Sequence, residues 1–444
     1  MTEREFATDV VRRLREAGFE ALWAGGCVRD QLLGMEPHDF DVATDARPEQ
    51  VQKVFRRTIA VGESFGVIEV LGPRIDGEHL KVQVATFRAD GEYVDGRRPS
   101  SVTFGSARED ALRRDFTING MFFDPLDIRL IDFVGGKTDL EARVLRAIGD
   151  PRARFNEDKL RLLRAVRFAA RFELDIEPAT AAALHEMAAE LPVVSAERIA
   201  VEIRKMLTDR HRVRGLRLLD DVGLLPVILP EVARMHGVPQ GLPAAPTGDL
   251  WDHTLAVVEK LPADTSFPLA FATLLHDVGK PTTIGRTPDR YTFHGHEHAG
   301  RQIAEKITER LKLSTAEREQ IAWLVEKHQY LSEAPVMRKS RLKTVLAHAG
   351  IADLLALHRA DAVGSGRLVA HVEFAEQKLR EWTESGELDP PPLLTGEDLK
   401  AMKIPQGPAY KRILDLVREG QLDGTVTTAE QAREMVKQLF NETM

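Results

Sequence analysis

Two acids, Asp39 and Asp41, follow closely on a glycine pair, Gly25-Gly26, and this spacing constrains the start of the chain more than any other feature. Ala21-Leu22-Trp23 reads as a strand, Gly25-Gly26 as a turn, and the stretch through Leu32-Leu33 as a short helix. Asp39-Phe40-Asp41-Val42 reads as a second strand. Residues i and i+2 of a strand point to one face, so the two carboxylates converge. Paired hard oxygen ligands suit Mg²⁺ bridging a nucleotide phosphate, and two such ions activate a hydroxyl and stabilise leaving pyrophosphate. Two glycines between strand and helix let backbone N–H groups approach a phosphate, and Arg29, about one turn into the helix, can pair with triphosphate oxygens. Gly-Gly alone is usually a turn, and Asp-x-Asp alone a surface pair; the combination carries the argument. Cys27 reads as a small buried filler, since no base is evident beside it.

The rest of the chain falls into an α/β part followed by helical parts. Phe6, Val10, Val11 and Leu14 have helical spacing, closed by Gly18. Gly66 to Leu71 and Leu80 to Phe87 read as strands paired around a Gly72–Gly77 turn. Beyond residue 150 helical periodicity dominates, with Arg154 to Phe172, Ala179 to Glu190 and Ala196 to Leu207 as clear helices. Residues 238–246 read as a Pro/Gly linker, and Asp389-Pro390-Pro391-Pro392 as a second break. The expected boundaries are 1–148, 149–237, 238–375 and 376–444, within the two to four domains that 444 residues allow.

Bulk properties exclude some classes. No apolar run reaches the ~18 residues of a membrane span, and Met1-Thr2-Glu3-Arg4-Glu5 lacks the order of a signal peptide. One cysteine permits no intrachain disulfide, which fits a cytoplasmic location. Net charge is -8, against a polyanion partner, yet Arg143 to Arg171 holds nine basic residues and three acids, and Arg198 to Arg217 seven against two. A basic middle in an acidic chain is a footprint for a polyanion, although such a run alone is more often a solvated helix face. The sequence leaves the oligomeric state open.

A second constellation lies in the third part. His253 is followed by His276-Asp277, by His294, His296 and His298, and then by His328 and Asp361. Imidazoles and carboxylates spread over several helices can hold one or two divalent metals, transition metal or Mg²⁺, and activate water against a phosphoester.

The head motifs, with Arg113-Arg114-Asp115-Phe116-Thr117-Ile118-Asn119, Asp132-Phe133-Val134-Gly135-Gly136-Lys137 and Glu157-Asp158-Lys159-Leu160-Arg161-Leu162-Leu163-Arg164-Ala165-Val166-Arg167-Phe168, resemble the nucleotidyltransferases related to DNA polymerase β. More narrowly, the chain resembles the bacterial class II CCA-adding enzymes and poly(A) polymerases. That resemblance implies an α+β fold: a polymerase β-like head, then an all-helical neck, body and tail. It implies transfer of CMP and AMP from CTP and ATP to the 3′ end of tRNA without a template, with an A-adding enzyme or poly(A) polymerase as the neighbouring alternative. Asp158 and Arg161, three apart on a helix, pair an acceptor with a donor and can meet the Watson–Crick edge of cytosine or adenine. The spacing alone fits a surface ion pair equally; the motif assigns base selection. Arg164 and Arg167 continue the spacing and match family positions that contact nucleotide, although at ~100° per residue Arg167 falls opposite Asp158. Arg113 and Arg114 are candidates for phosphate or acceptor-end contacts.

The family pattern places a third acid on the strand ending Thr86-Phe87-Arg88. Gln83 stands there instead, an amide that can ligate or position water but cannot take a proton at neutral pH, with Glu69 on the preceding strand left to compensate. An RNA-binding protein without catalysis is the reading that Gln83 invites and the intact aspartate pair opposes. The second constellation resembles the HD phosphohydrolases, with His296 preferred of its three neighbouring histidines. That module is expected either to hydrolyse phosphoesters, which offers a hydrolase reading of the whole chain, or to serve as a helical scaffold. The tail from Leu393 has more acids than bases near its end, which favours the tRNA enzyme over the poly(A) polymerases.

Overall fold

A computed structural model describes residues 1–441 except 38, 63–65, 76, 91–101, 243–244 and 408. The chain divides into two compact units, Met1–Pro230 and Glu231–Met444.

The first unit opens with α1 (Glu3–Glu16), started by a Thr2/Glu5 capping box and burying Phe6, Ala7, Val10, Val11 and Leu14. β1 (Ala21–Ala24), α2 (Gly26–Leu32), β2 (Asp41–Thr44), α3 (Pro48–Val54), β3 (Thr58–Gly62), β4 (Val67–Ile75) and β5 (Glu78–Thr86) follow. β6 (Arg88–Asp90) and β7 (Val102–Phe104) make a separate ribbon, and after α4 (Ala107–Leu112) come β8 (Met121–Asp124), β9 (Arg129–Asp132) and α5 (Gly136–Glu141). Seven strands form one sheet in the order β3-β4-β5-β2-β1-β8-β9. Only the β2/β5 pair is parallel among these neighbours. α1 packs against β1, β2 and β5. Leu22, Ala24, Ala43, Phe87 and Phe122 pack with Ala107 and Ala111 of α4. The β4/β5 hairpin is longer than its glycines suggest, because Gly72 lies within β4 against the Phe6 ring and not in a turn.

The helical remainder of this unit starts with α6 (Pro151–Glu157) and α7 (Leu160–Arg171), followed by α8 (Pro178–Met187), α9 (Ala196–Leu207) and α10 (Arg212–Asp221). The continuous helix expected from Arg154 to Phe172 is two helices. Asp158 is extended at φ -151, and its side chain accepts the Leu160 N–H at 3.0 Å, restarting the helix as a side-chain cap.

The second unit is helical around the apolar helix Phe267–Leu275. Helices Leu250–Glu259, His296–Arg310, Thr315–Lys327 and Ile351–Gly364 surround it. The stretch read as a linker forms two paired strands, Pro239–Leu242 and Ala245–Asp249. Residues after 392 have their own apolar cluster, including Leu394, Leu399, Ile413, Val417 and Val436. Among the described residues no helix is long and apolar enough to cross a membrane. The fold is thus the expected α+β head with helical remainder.

Candidate active site and metal centre

In the head, sheet register brings the expected elements together. Ala24 is the cross-strand partner of Asp41, so Gly25, the next residue, turns the chain directly beside that carboxylate. Asp39 precedes the strand, and the alternation still holds: Asp39 and Asp41 reach solvent, while Phe40 is buried against Trp23. Although Asp41 reaches solvent, desolvation by the protein packed around it pushes its carboxyl above the usual range, the Arg114 guanidinium pulls it back, and the Asp39 carboxylate adds to the rise. Two acids that repel one another at the end of a strand fit a divalent cation, whose charge would relieve that repulsion. Asp41, Gln83 and Glu69 are register partners across β2, β5 and β4, so they form one row on one face. Lys81 lies 3.6 Å from Glu69.

Gly25 has φ 72 and ψ -120, a backbone that side chains avoid. A Cβ there would stand 2.9 Å from Nη1 of Arg114. The bare turn therefore admits an arginine. Arg114 Nη1 donates to the Asn119 carbonyl at 3.2 Å. Its Nε and Nη2 donate to Oδ2 of Asp110 at 3.1 and 2.9 Å. Arg113 takes the other oxygen, Oδ1, at 2.9 and 2.5 Å. Asp110 is 1% exposed. Burial would raise its carboxyl, but Arg114 and Arg113 hold it below the ordinary range. Sequence reasoning missed this residue; its offset of three and four from two adjacent arginines was the available signal.

Arg29 is placed differently from expectation. It is 6% exposed, donates to Asp30 at 2.8 and 2.6 Å and to Asn119 Oδ1 at 2.6 Å, and lies 4.1 Å from the Phe172 ring. Three of its five N–H groups are used and it is buried, so it fastens the turn to α7 and its end. Asn119 passes the contact on to Asp115 at 3.0 Å, and Asp115 accepts from Arg164 at 2.7 Å. Burial opposes ionisation of Asp115, but Arg164 and Asn119 overcome it and hold the carboxyl at about 2. Arg167 is buried and paired with Glu202 on α9 at 2.5 Å.

The expected shared helix face of Asp158 and Arg161 is corrected by the break at Asp158. Asp158 Oδ2 accepts from Arg198 at 2.6 Å. Arg161 is paired with Glu157 and donates to the Arg113 carbonyl at 3.3 Å. Both still stand at the α6–α7 junction, close in sequence to the arginines that clasp α4: Arg154 Nη2 donates to the Leu112 carbonyl at 2.7 Å.

In the second unit all six expected residues converge. His253 comes from one helix, His276-Asp277 from the end of the next, His296 opens a third, His328 ends a fourth, and Asp361 belongs to a fifth. Asp277 Oδ2 lies 3.4 Å from His253 Nε2 and 3.2 Å from His276 Nε2. Its Oδ1 lies 3.3 Å from His296 Nε2 and 3.4 Å from His328 Nε2. Asp361 Oδ1 is 3.5 Å from His253 Nε2. The Nδ1 atoms of His276, His296 and His328 sit 2.7, 2.8 and 2.7 Å from backbone carbonyls, which fixes each ring with Nε2 inward. Oδ1 of Asp277 is buried without a hydrogen-bond partner. An orphaned carboxylate oxygen among inward imidazole nitrogens fits divalent metal. Two three-residue groups, His253/His276/Asp277 and Asp277/His296/His328, have the required closeness. Burial pushes His328 down, whereas the Asp277 carboxylate overcomes burial at His276 and raises it. His294 and His298 point elsewhere: both are exposed, and His298 contacts Gln302. Gly279, also missed in the sequence, lets this loop approach the helix at His296, where a Cβ would come within 2.2 Å of the His296 carbonyl. Lys280 reaches Asp277 at 2.6 Å, and a cavity of about 680 Å³ opens onto His253, Asp277, Lys280, Asp361 and Arg367.

Known proteins carry the same modules. The Poly A polymerase head domain model matches residues 21–146. A model described as the probable RNA and SrmB-binding site of polymerase A matches residues 173–235, and the HD domain model matches residues 250–356. The three matches follow one another along the chain as head, RNA-binding segment and HD module. The CCA-adding enzyme of Streptococcus suis is 42% identical over 221 residues, covering 50% of this chain and 53% of that protein. That of Lactococcus lactis subsp. lactis is 45% identical over 214 residues, covering 48% and 53%. The chain thus spans about half the length of the curated relatives it matches. In fold it is similar to the Bacillus stearothermophilus CCA-adding enzyme in complex with CTP, with a TM-score of 0.73, 24% identity and coverage of 100% and 99%. It is also similar to the Thermotoga maritima CCA-adding enzyme complexed with tRNA, at 0.60, 20% identity and 98% and 95% coverage. The chain thus carries matches to a Poly A polymerase head domain and an HD domain, and resembles the CCA-adding enzymes over about half of their length.

Proposed function

We propose that this chain is a tRNA nucleotidyltransferase that adds CMP and AMP, from CTP and ATP, to the tRNA 3′ end in the cytoplasm. The observation that carries the reading is the placement of Asp41 opposite Ala24, which sets the acid pair beside the Gly25 turn and the Arg114 guanidinium. Asp39 and Asp41 would hold Mg²⁺, which supplies activation of the attacking hydroxyl and neutralises charge on the departing pyrophosphate. Gly25 and Gly26 keep the turn open for the triphosphate, while Arg113 and Arg114 bind its oxygens. Gln83, next to Asp41, orients water or the RNA hydroxyl by its amide.

In the same reading Asp158 and Arg161 select the base, which then takes the places of Arg198 and Glu157 as their partners. Arg164 supports this junction through Asp115, and Arg29 and Arg167 support it from buried positions. The corresponding parts are a head at 1–148, a neck at 149–237, an HD body at 238–375 and a tail at 376–444 that helps hold the tRNA. The test is incorporation of labelled CTP and ATP into tRNA lacking its 3′ end, with the product ends sequenced. Addition of two C and one A supports the reading; A alone or a long A tract assigns the A-adding or poly(A) alternative. Full activity in the Asp39→Ala/Asp41→Ala variant overturns the acid-pair assignment.

A second reading applies to the other unit. The orphaned Asp277 oxygen among inward Nε2 atoms favours a metal-dependent phosphohydrolase there, with Lys280 and Arg367 at the cavity to meet a phosphate. Hydrolysis of a phosphoester that is lost in Asp277→Asn and kept in Asp39→Ala/Asp41→Ala supports it. Absence of metal binding by the Asp39→Ala/Asp41→Ala variant assigns the module a scaffold role.

A further inference from the structure

Asp110, which no motif singles out, binds both Arg113 and Arg114, and Arg114 lies against the Gly25 turn beside the acid site. Its two oxygens are divided: Oδ1 takes Arg113 and Oδ2 takes Arg114, each through two N–H groups. Arg113 caps the end of α4 and Arg114 follows in the bend beyond it, so no regular helix geometry turns the two neighbouring arginines the same way. A single carboxylate offset by three and four residues does so. Arg114 is further fixed from behind, by the Phe122 ring at 5.1 Å and by the Asn119 carbonyl. Three of its five N–H groups are thereby used. Its remaining charge lies against the bare Cα of Gly25 and acts on Asp41. The backbone that carries the pair is clasped in turn, Leu112 by Arg154 and Arg113 by Arg161.

We infer that Asp110 is a positioning residue for nucleotide binding: it aims Arg113 and Arg114 at the triphosphate, and without it the cations stay present but swing off the Gly25 turn. This rests on the nucleotidyltransferase reading, in which those arginines bind phosphate. A neutral amide cannot hold two guanidinium forks, so the consequence belongs to the phosphates and not to the base.

The experiment measures binding of CTP and of CMP, with Mg²⁺, to the full chain as wild type, Asp110→Asn, Arg114→Lys and Arg114→Ala, together with KM and kcat for CTP and thermal melting. The expected result is a CTP Kd and KM raised about tenfold or more in Asp110→Asn, with CMP affinity changed less than threefold and kcat reduced much less than KM is raised. Adding Asp110→Asn to Arg114→Ala should weaken CTP binding less than it does in the wild type, because the two act through one contact. CTP and CMP affinities falling equally, or a folded Asp110→Asn with unchanged CTP affinity, overturn the inference. Should Asp110→Asn fail to fold, Arg114→Lys decides: it keeps the charge and loses the fork, so wild-type CTP affinity there overturns the inference and a phosphate-dependent loss supports it. A wild-type chain that binds neither CTP nor ATP overturns the nucleotidyltransferase reading and this inference together; normal wild-type binding with indifferent variants overturns only the role of Asp110.

Discussion

Asp41 and Gln83 are register partners on the parallel strands β2 and β5, so a carboxylate and an amide rise side by side from one face of the sheet. A second carboxylate at the amide's position would add repulsion to an acid that desolvation and Asp39 already push up. Gln83→Glu should therefore lower the melting temperature in EDTA and tighten binding of a divalent ion by about tenfold, roughly 1.4 kcal/mol. Titration with Mn²⁺ followed by electron paramagnetic resonance checks this. Unchanged Mn²⁺ affinity would mean that position 83 lies outside the metal's reach.

Asp115 gives a pH-dependent prediction. Its carboxyl is held at about 2 in the folded chain, against 3.8 as the ordinary value. A depressed acid stabilises the fold above its unfolded pKa, and that contribution is lost as pH falls through the folded value. The shift corresponds to about 2 kcal/mol at neutral pH. Asp115→Asn should cost at least about that much at pH 7, since it also strips Arg164 of its charged partner. The penalty should shrink between about pH 4 and pH 2. Urea denaturation followed at several pH values measures it; a pH-independent difference would mean that Asp115 acts through packing alone.

Legibility of the sequence followed the range of the interactions. Local periodicity found α1, the β4/β5 pair and the helical second unit, because burial there repeats with the element's own period. The convergence of His253, His276, Asp277, His296, His328 and Asp361 was legible as well, since buried imidazoles and acids in such number have few other uses. What stayed hidden was set by partners distant in sequence. Arg29 read as an open phosphate ligand because nothing local shows that Asn119 and Phe172 close over it. The break at Asp158 was hidden because the residues around it are good helix formers, and one side-chain cap outweighs their propensity. Ribbon strands in a Pro/Gly stretch were read as a linker for the converse reason: their pairing, not their composition, makes them strands.

The closed environment of Arg29 predicts a structural phenotype. Arg29→Ala leaves Asp30 and Asn119 without their donor and removes the cation from the Phe172 face. The cost should be about 2–4 kcal/mol, visible as a lower melting temperature without any nucleotide present. Arg29→Lys should recover little of it, because an ammonium cannot bridge both partners and stack at once. A melting temperature unchanged in Arg29→Ala, with CTP affinity lost, would instead return Arg29 to the role of an open phosphate ligand.

Gly279 separates the two chemistries of the chain. Its missing side chain lets the loop after Asp277 sit against the helix that begins at His296, with only 2.2 Å available between a would-be Cβ and the His296 carbonyl. Gly279→Ala must push that helix away, and His296 Nε2, now 3.3 Å from Asp277 Oδ1, would move with it. Half of the imidazole cluster then loses its geometry, since His296 and His328 converge on that same oxygen. The displacement acts on metal capture in the second unit, while the acid pair of the first keeps its sheet register. Gly279→Ala should therefore reduce metal-dependent phosphoester hydrolysis at least tenfold, because a shift of about 1 Å in a positioned group is enough for such a loss. Incorporation of CTP into tRNA should stay within twofold of wild type. Measuring both reactions on one preparation checks this: equal loss of both would mean that the substitution unfolds the chain, and loss of neither would place hydrolysis outside this cluster.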